Sequence, residues 1–316
     1  MDLSSQGNNG SDYGVSVVIP CYNYAGYLAD TIDSVLNQDY DNIEVIVIDD
    51  GSTDETREVA LKYGNRIRYI YQDNQGLSAT RNNGIKISNK HFIAFLDADD
   101  KWEPNFISVV IKQFKKLSTD VGIVACLDSK IDKAGRPLRD RVHQSKLGEL
   151  TTKDLILKNR FFPGAAVVIR EAFDVVGDFD TNLRSSEDRD MWIRISCRYK
   201  VWLIGDSLVK IRKHGENMSS NAERMLRNKQ TVIGKCYQGN VVSRMDFPFW
   251  LTVNSIMNYQ VSWIYYNQGD RLKSLYTILK SLLIWPLPLD YSQIDVPVLF
   301  RLRALVRFLL VGTRVG

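Results

Sequence analysis

The sequence predicts an α/β fold: a Rossmann-like, mostly parallel sheet with helices on both faces, followed by a C-terminal helical appendage. Three observations predict it. Short β-branched runs alternate with helix-spaced segments from residue 15 onward, acidic residues recur where those runs end, and beyond residue 220 aromatic and leucine-rich helical spacing takes over. The 316 residues, 44% of them hydrophobic, give room for one large domain and an addition.

Residues 1–14, MDLSSQGNNGSDYG, have neither a basic n-region nor an apolar h-region, so a disordered lead-in is expected rather than a signal peptide. Residues 15–20, VSVVIP, read as a buried strand. In the segment after it Leu28, Ile32, Val35 and Leu36 fall on one helical face. Residues 43–48, IEVIVI, give a second strand, and Ser52 with Glu55 predicts a capping box opening the next helix. Residues 66–71 and 77–87 supply a third strand and helix. Residues 91–96 are a fourth strand, delivering Asp97, Asp99 and Asp100 to the C-terminal edge of the sheet, where open α/β folds bind ligands.

A further helix and strand follow at 106–117 and 121–127. The charged stretch 128–148, punctuated by Gly135 and Pro137, is expected as a mobile flap or acceptor-side insertion. A short helix at 151–159 and a buried strand at 164–169 lead to SSEDRDMWIRISCRY, 185–199. There a serine N-cap is expected to open a helix that buries Trp192 and Ile195, with Asp190 and Arg194 as a surface i, i+4 pair. Two short strands, 201–205 and 207–211, end in RKHGENMSS.

The division is therefore 1–14 lead-in, 15–220 main domain and 221–316 helical region. In the last, Asp270 caps a helix whose Leu272, Leu275, Leu279 and Leu282 share a face, and a final helix carries Leu302, Leu305, Val306 and Leu309 on one side with Arg303 and Arg307 on another. Such a basic amphipathic helix suits an anionic membrane surface. Packing on the main domain, or pairing in a homodimer, stays open beside it.

Composition narrows the chemistry. No run of eighteen apolar residues predicts a spanning helix, so a cytoplasmic protein is expected, peripheral at the inner leaflet if the tail meets lipid. The four cysteines are scattered without a C-x-x-C, predicting neither a zinc site nor disulfides but small core residues. From Arg271 onward seven Lys or Arg stand against two Asp, a local +5, which leaves −1 for the 270 residues before it. A nucleic-acid groove in the main domain is thereby disfavoured.

Asp97 and Asp99 flank the small Ala98, a spacing that lets both carboxylates meet one hard cation, Mn²⁺ or Mg²⁺, whose shell a phosphorylated substrate completes. The same acids could instead cap the helix that starts near Glu103. Neither G-x-G-x-x-G nor G-x-x-x-x-G-K-[ST] occurs, so a bound phosphate would rely on metal or basic side chains.

Taken in order, VSVVIPCYN, VIDDGSTDET, QGLSATRNNGI, FLDADD and SSEDRDMWIR resemble glycosyltransferase family 2, inverting enzymes of GT-A fold, over roughly residues 15–220. The resemblance implies a nucleotide-sugar donor, a UDP-sugar, and a glycan or lipid-linked acceptor in polysaccharide or cell-surface glycan synthesis. It implies that Pro20, Tyr22 and Asn23 form the first nucleotide loop, that Asp50 meets a uracil ring nitrogen, and that Arg81 lies near the nucleotide. It further implies that Asp97 contacts the ribose and shares with Asp99 and His214 the metal region, and that Asp188, beside Glu187, is the catalytic base. The rival readings are a nucleotidyltransferase, which lacks its glycine-rich basic loop here, and a catalytically silent nucleotide-sugar-binding module or membrane-docked scaffold.

Overall fold

In the computed structural model, described for residues 13–138, 146–214, 222–286 and 299–310, the β-branched runs lie side by side, the first and fourth strands buried on both faces and the second along most of its length. Strand β1 (Val15–Cys21) pairs in parallel with β2 (Ile43–Asp50) and β4 (Phe92–Phe95), and β3 (Arg68–Gln72) adds in parallel to β2. The crossovers are α1 (Ala25–Leu36), α2 (Thr56–Leu61) and α3 (Leu77–Ile87). Leu28, Ile32 and Val35 of α1 are buried, as their spacing predicts.

The rest of the sheet is mixed. After β5 (Lys101–Trp102) and α4 (Phe106–Lys116) come β6 (Val121–Ile131), β7 (Gly148–Leu150), α5 (Thr152–Leu157), β8 (Ala166–Ile169), α6 (Arg170–Val176), α7 (Glu187–Ser196) and β9 (Lys200–Arg212). The sheet order is β3-β2-β1-β4-β8-β6-β9-β5, with β7 on β9. Strand β8 runs antiparallel to both β4 and β6. Apolar content marks β8 as buried but carries no direction, so the antiparallel half was not legible. The two short strands expected at 201–205 and 207–211 are one long β9, irregular in register near Leu127 of β6.

Among the described residues four helices follow: α8 (Ala222–Gln238), α9 (Phe247–Asn267), α10 (Arg271–Ile284) and α11 (Phe300–Leu310). Val232, Ile233 and Cys236 of α8, with Phe249, Trp250 and Val253 of α9, belong to the same buried core as the sheet. Among the described residues no helix is long and apolar enough to cross a membrane.

Several local expectations are corrected. Residues 1–12 lie outside the described residues, but Tyr13 belongs to the fold, stacked on Phe92 at 5.9 Å. The Ser52–Glu55 capping box does not form: Glu55 precedes α2 without a side-chain cap, and Ser52 Oγ accepts from Asn23 N instead. Ser186 enters α7 in the left-handed region and caps nothing with its side chain. A capping box does form at Thr151 and Asp154. The flap expectation centres on 139–145, outside the described residues, whereas Ile131 and Pro137 close a bridge around Gly135. Cys197 is exposed, unlike Cys21, Cys126 and Cys236.

Candidate active site

The parallel strands end together, and their C-terminal edge opens on a cleft of about 910 Å³ lined from Pro20 and Tyr22 on one side to Asp188 and Lys229 on the other. Successive strand residues face opposite ways, and that alternation separates Asp49 from Asp50. Asp49 turns inward to accept from Tyr69 and Ser52 N, while Asp50 lines the cleft. Asp50 Oδ1 accepts from Gln72 Nε2 and Gln75 N, and Oδ2 from Gly76 N at 2.8 Å. Gly76 supplies that amide with φ at +87°, a region that favours glycine. Asp50 thus pins the entry of α3 and keeps acceptor capacity on Oδ2.

Asn23, at φ +57°, ties the loop after β1 to the loop after β2 by accepting from Thr53 N and donating its own N–H to Ser52 Oγ. Its neighbour Tyr22 is left half exposed at the cleft.

The loop after β4 is held from three directions. Thr31 Oγ1 bonds the carbonyls of Ala98 and Asp100, both at 2.8 Å. Arg212, almost fully buried, donates Nε to Asp99 O and its backbone N–H to Asp100 Oδ1. Arg212 is therefore a brace for the acidic loop. Asp99 Oδ2 and His214 Nε2 lie 2.8 Å apart, with the His214 ring stacked on Tyr27. Burial and then Asp97 push the Asp99 carboxyl up, with His214 opposing them. Burial and its two acidic neighbours push Asp100 well above the usual carboxylate range.

Arg81 joins the two acidic motifs. It is buried on α3 and bonds Asp97 Oδ1 at 2.8 Å and Glu187 Oε1 at 2.7 Å. Burial pulls its pKa down, yet Asp97, Glu187 and Asp188 together raise it above the ordinary value. Glu187 itself is raised by burial against the pull of Arg81. One guanidinium therefore fixes the start of α7 against the end of β4, which puts Asp188 in the same cleft as Asp97 and Asp99.

Asp188 accepts from Asn159 Nδ2 at 2.8 Å and from Arg189 N at 2.7 Å. Arg189 braces α7 on the carbonyls of Leu155 and Ile156, and burial draws its pKa down to about 10. Asp190 is buried, not at the surface: it takes Arg194 from its own helix and Lys235 from α8.

Three cleft residues carry no signal in the sequence. Asn159 Oδ1 is buried without a hydrogen-bond partner among the described residues, beside Asp188. Lys229 and Gln260, bonded at 2.8 Å, bring α8 and α9 to the cleft wall, and no short motif announces them.

Does the donor set fit a metal? Among the described residues no three His, Cys, Asp or Glu side chains form a ready-made cage. Asp99 and His214 present one oxygen and one nitrogen, while one Asp97 oxygen is taken by Arg81. Two donors fit a Mn²⁺ or Mg²⁺ ion whose other positions are filled by substrate phosphates and water.

Residues 16–177 match the sequence profile of the family described as Glycosyl transferase family 2. The chain is 33% identical over 217 residues to an uncharacterized glycosyltransferase of Rickettsia prowazekii, covering 67% of this chain and 68% of the relative. It is 29% identical to TuaG of Bacillus subtilis, a putative teichuronic acid biosynthesis glycosyltransferase, over 66% of this chain and 82% of that one. Among solved structures, the mannosyltransferase PcManGT of Pyrobaculum calidifontis, in complex with GDP-Man and Mn²⁺, superposes with a TM-score of 0.62 at 16% identity. That match covers 98% of this chain and 91% of the other. S. aureus TarS 1–349 in complex with UDP-GlcNAc gives a TM-score of 0.57 at 18% identity, covering 86% and 89%.

Proposed function

Because this chain belongs to glycosyltransferase family 2, we propose that it moves a sugar with inversion from a nucleoside-diphosphate donor, a UDP-sugar, to a hydroxyl of a glycan or lipid-linked acceptor. That it is a glycosyltransferase of GT-A fold follows from the family and the fold neighbours. Donor, acceptor and residue roles are our reading. The observation that carries it is the Arg81 bridge, which sets the Asp188 end of the cleft against the Asp97 and Asp99 end.

Inversion is a single in-line displacement, so base and leaving group must sit on opposite sides of the sugar. Asp188, held by Asn159 and the Arg189 amide, takes the proton of the acceptor hydroxyl as its oxygen attacks the anomeric carbon. The bond to the diphosphate breaks on the Asp99 side. Asp99 and His214 would hold Mn²⁺ or Mg²⁺, which when bound offsets charge on the leaving diphosphate.

The nucleotide rests on the loops of β1 and β2. Tyr22 offers a half-exposed ring, and Asp50 Oδ2, with one protein donor, accepts the imide N–H of a uracil. Asp97 reaches the ribose with the oxygen not taken by Arg81. Beyond Asp188, Phe162, Lys158, Lys229 and Gln260 give the acceptor an exposed ring and polar groups. Among the four cysteines every thiol is free, which suits the reducing cytoplasm.

Asp188→Asn tests the assignment. With UDP-sugar, acceptor glycan and Mn²⁺, kcat falls on the order of a thousandfold while UDP affinity by calorimetry is unchanged. Retained transfer, or lost UDP binding, removes Asp188 from the role of base.

A further inference from the structure

Helix α10 is packed inside out. Against α9 it buries Ser274, Thr277, Ile278 and Ser281, and the two helices exchange bonds between Ser281 Oγ and Ser255 O, and Ser255 Oγ and Ser281 O. Arg301 from α11 is buried in the same seam, donating to Ser255 Oγ. Of the four leucines that share a face in the sequence, Leu272 and Leu279 point outward, whereas Leu275 and Leu282 are half-buried, Leu275 against the cluster of Tyr266, Ile278 and Phe308. Leu272 is 81% exposed, Tyr276 65% and Leu283 82%.

Helix α11 repeats the pattern. Ala304 and Phe308 pack with Ile278 and with Tyr266 of α9, whereas Leu302, Val306 and Leu309 stand half exposed. Both inner faces are thus satisfied, and two outward apolar stripes remain. Exposed apolar surface this contiguous marks an interaction site, since single exposed leucines are ordinary but aligned rows are not.

Charge selects the occupant. Neither helix contains a carboxylate, while Lys280 on α10 and Arg303 on α11 lie among the outward residues, and Arg307 lies over the Trp263 and Tyr266 rings of α9. A two-fold pairing of this face with a second copy would set these cations against their own copies with no acid to answer them. An anionic lipid leaflet meets both demands, taking the leucines into its acyl boundary and the cations at its headgroups.

We infer that the outward faces of α10 and α11 seat the protein on an anionic membrane surface. The leucines enter the interface and the basic side chains stay at phosphate level. The seat does not depend on the donor site, because none of its residues lines the cleft. Helix α9 joins the two, sending Gln260 and Ile264 to the cleft and Tyr266 to the packing of α10 and α11.

The test is co-sedimentation of the full chain with vesicles of phosphatidylcholine alone or mixed with phosphatidylglycerol. Wild type is expected to bind the mixed vesicles, and added salt weakens the binding. The pairs Leu279→Gln with Leu283→Gln, and Lys280→Gln with Arg303→Gln, each lower the affinity on the order of tenfold or more. Thermal midpoint and UDP binding stay at wild-type values in both, because these side chains are exposed. Undiminished vesicle binding in both pairs overturns the inference. So does a wild-type dimer that ignores vesicles and that the leucine pair converts to monomer.

Discussion

Lys229 shows at the scale of one residue what the cleft costs the fold. Burial, and then the nearby Arg189, draw its pKa from the ordinary 10.5 down to about 8, with Asp188 opposing. The folded value lies below the unfolded one, so between them the unfolded chain binds more protons and stability rises with pH. Below the folded value the penalty is complete. Lys229→Met should therefore be more stable than wild type at neutral pH by on the order of 2 kcal/mol. The gap should close as pH rises toward the free-lysine value. Urea unfolding of both proteins across that range checks it, and the difference between them cancels the tyrosines whose pKa values are also raised. A gap that stays constant with pH would mean that Lys229 is already solvated. Nothing in the sequence marks this lysine, since its surroundings come from Asp188 on α7 and Gln260 on α9, far apart along the chain. Asp97 and Asp99, by contrast, were legible as cleft residues because they sit at the end of a strand, and Asp188 only through the motif it shares with the family.

At the scale of elements, periodicity found the long buried strands but split β9 in two, passed over the short β5 and β7, and could not assign direction or the residues that join one element to the next. The helix at 77–87 is an example of both. Its bounds were legible, yet its closest contact was not: a Cβ on Gly84 would lie 2.4 Å from Val18 Cγ1 of β1. Glycine is there for approach, and α3 must approach closely because it carries Arg81 between Asp97 and Glu187. Gly84→Ala is expected to destabilise the protein by roughly 1–3 kcal/mol through overpacking, less about 1 kcal/mol from better helix propensity. Calorimetry of Gly84→Ala alone and with Val18→Ala decides the cause: the second change should recover part of the loss. If the double variant melts lower by the simple sum of both, crowding is not the reason. The failed serine caps have a similar origin, for the hydroxyl of Ser52 is drawn to Asn23 across the sheet edge, a contact that local patterning cannot anticipate.

At the scale of the whole molecule, the division at residue 220 separates sequence textures rather than folding units. Asn228 donates to Ser185 just before α7, Lys235 reaches Asp180 and Asp190, and Lys153 pairs with Asp246. These bonds line the seam where α8 and α9 add their apolar residues to the core of the sheet. The same helices supply Met225, Lys229, Gln260 and Ile264 to the cleft. A chain ending at residue 221 would leave that seam bare and take Lys235 away from Asp180 and Asp190. Uncovered apolar surface loses about 25 cal/mol for each Å² returned to water, and marginal stability leaves little to absorb it. Expressed alone, residues 13–221 should be insoluble, or should show no cooperative melt and no UDP binding in a thermal-shift titration. A soluble fragment that melts cooperatively and binds UDP would establish the sheet as a self-sufficient domain, and the helices as an addition after all. The contrast with the vesicle test is informative, because the outward leucines of α10 and α11 can change without touching this seam. The C-terminal helices therefore have separable roles: α8 and α9 complete the core and the cleft, and the outward faces of α10 and α11 meet the membrane.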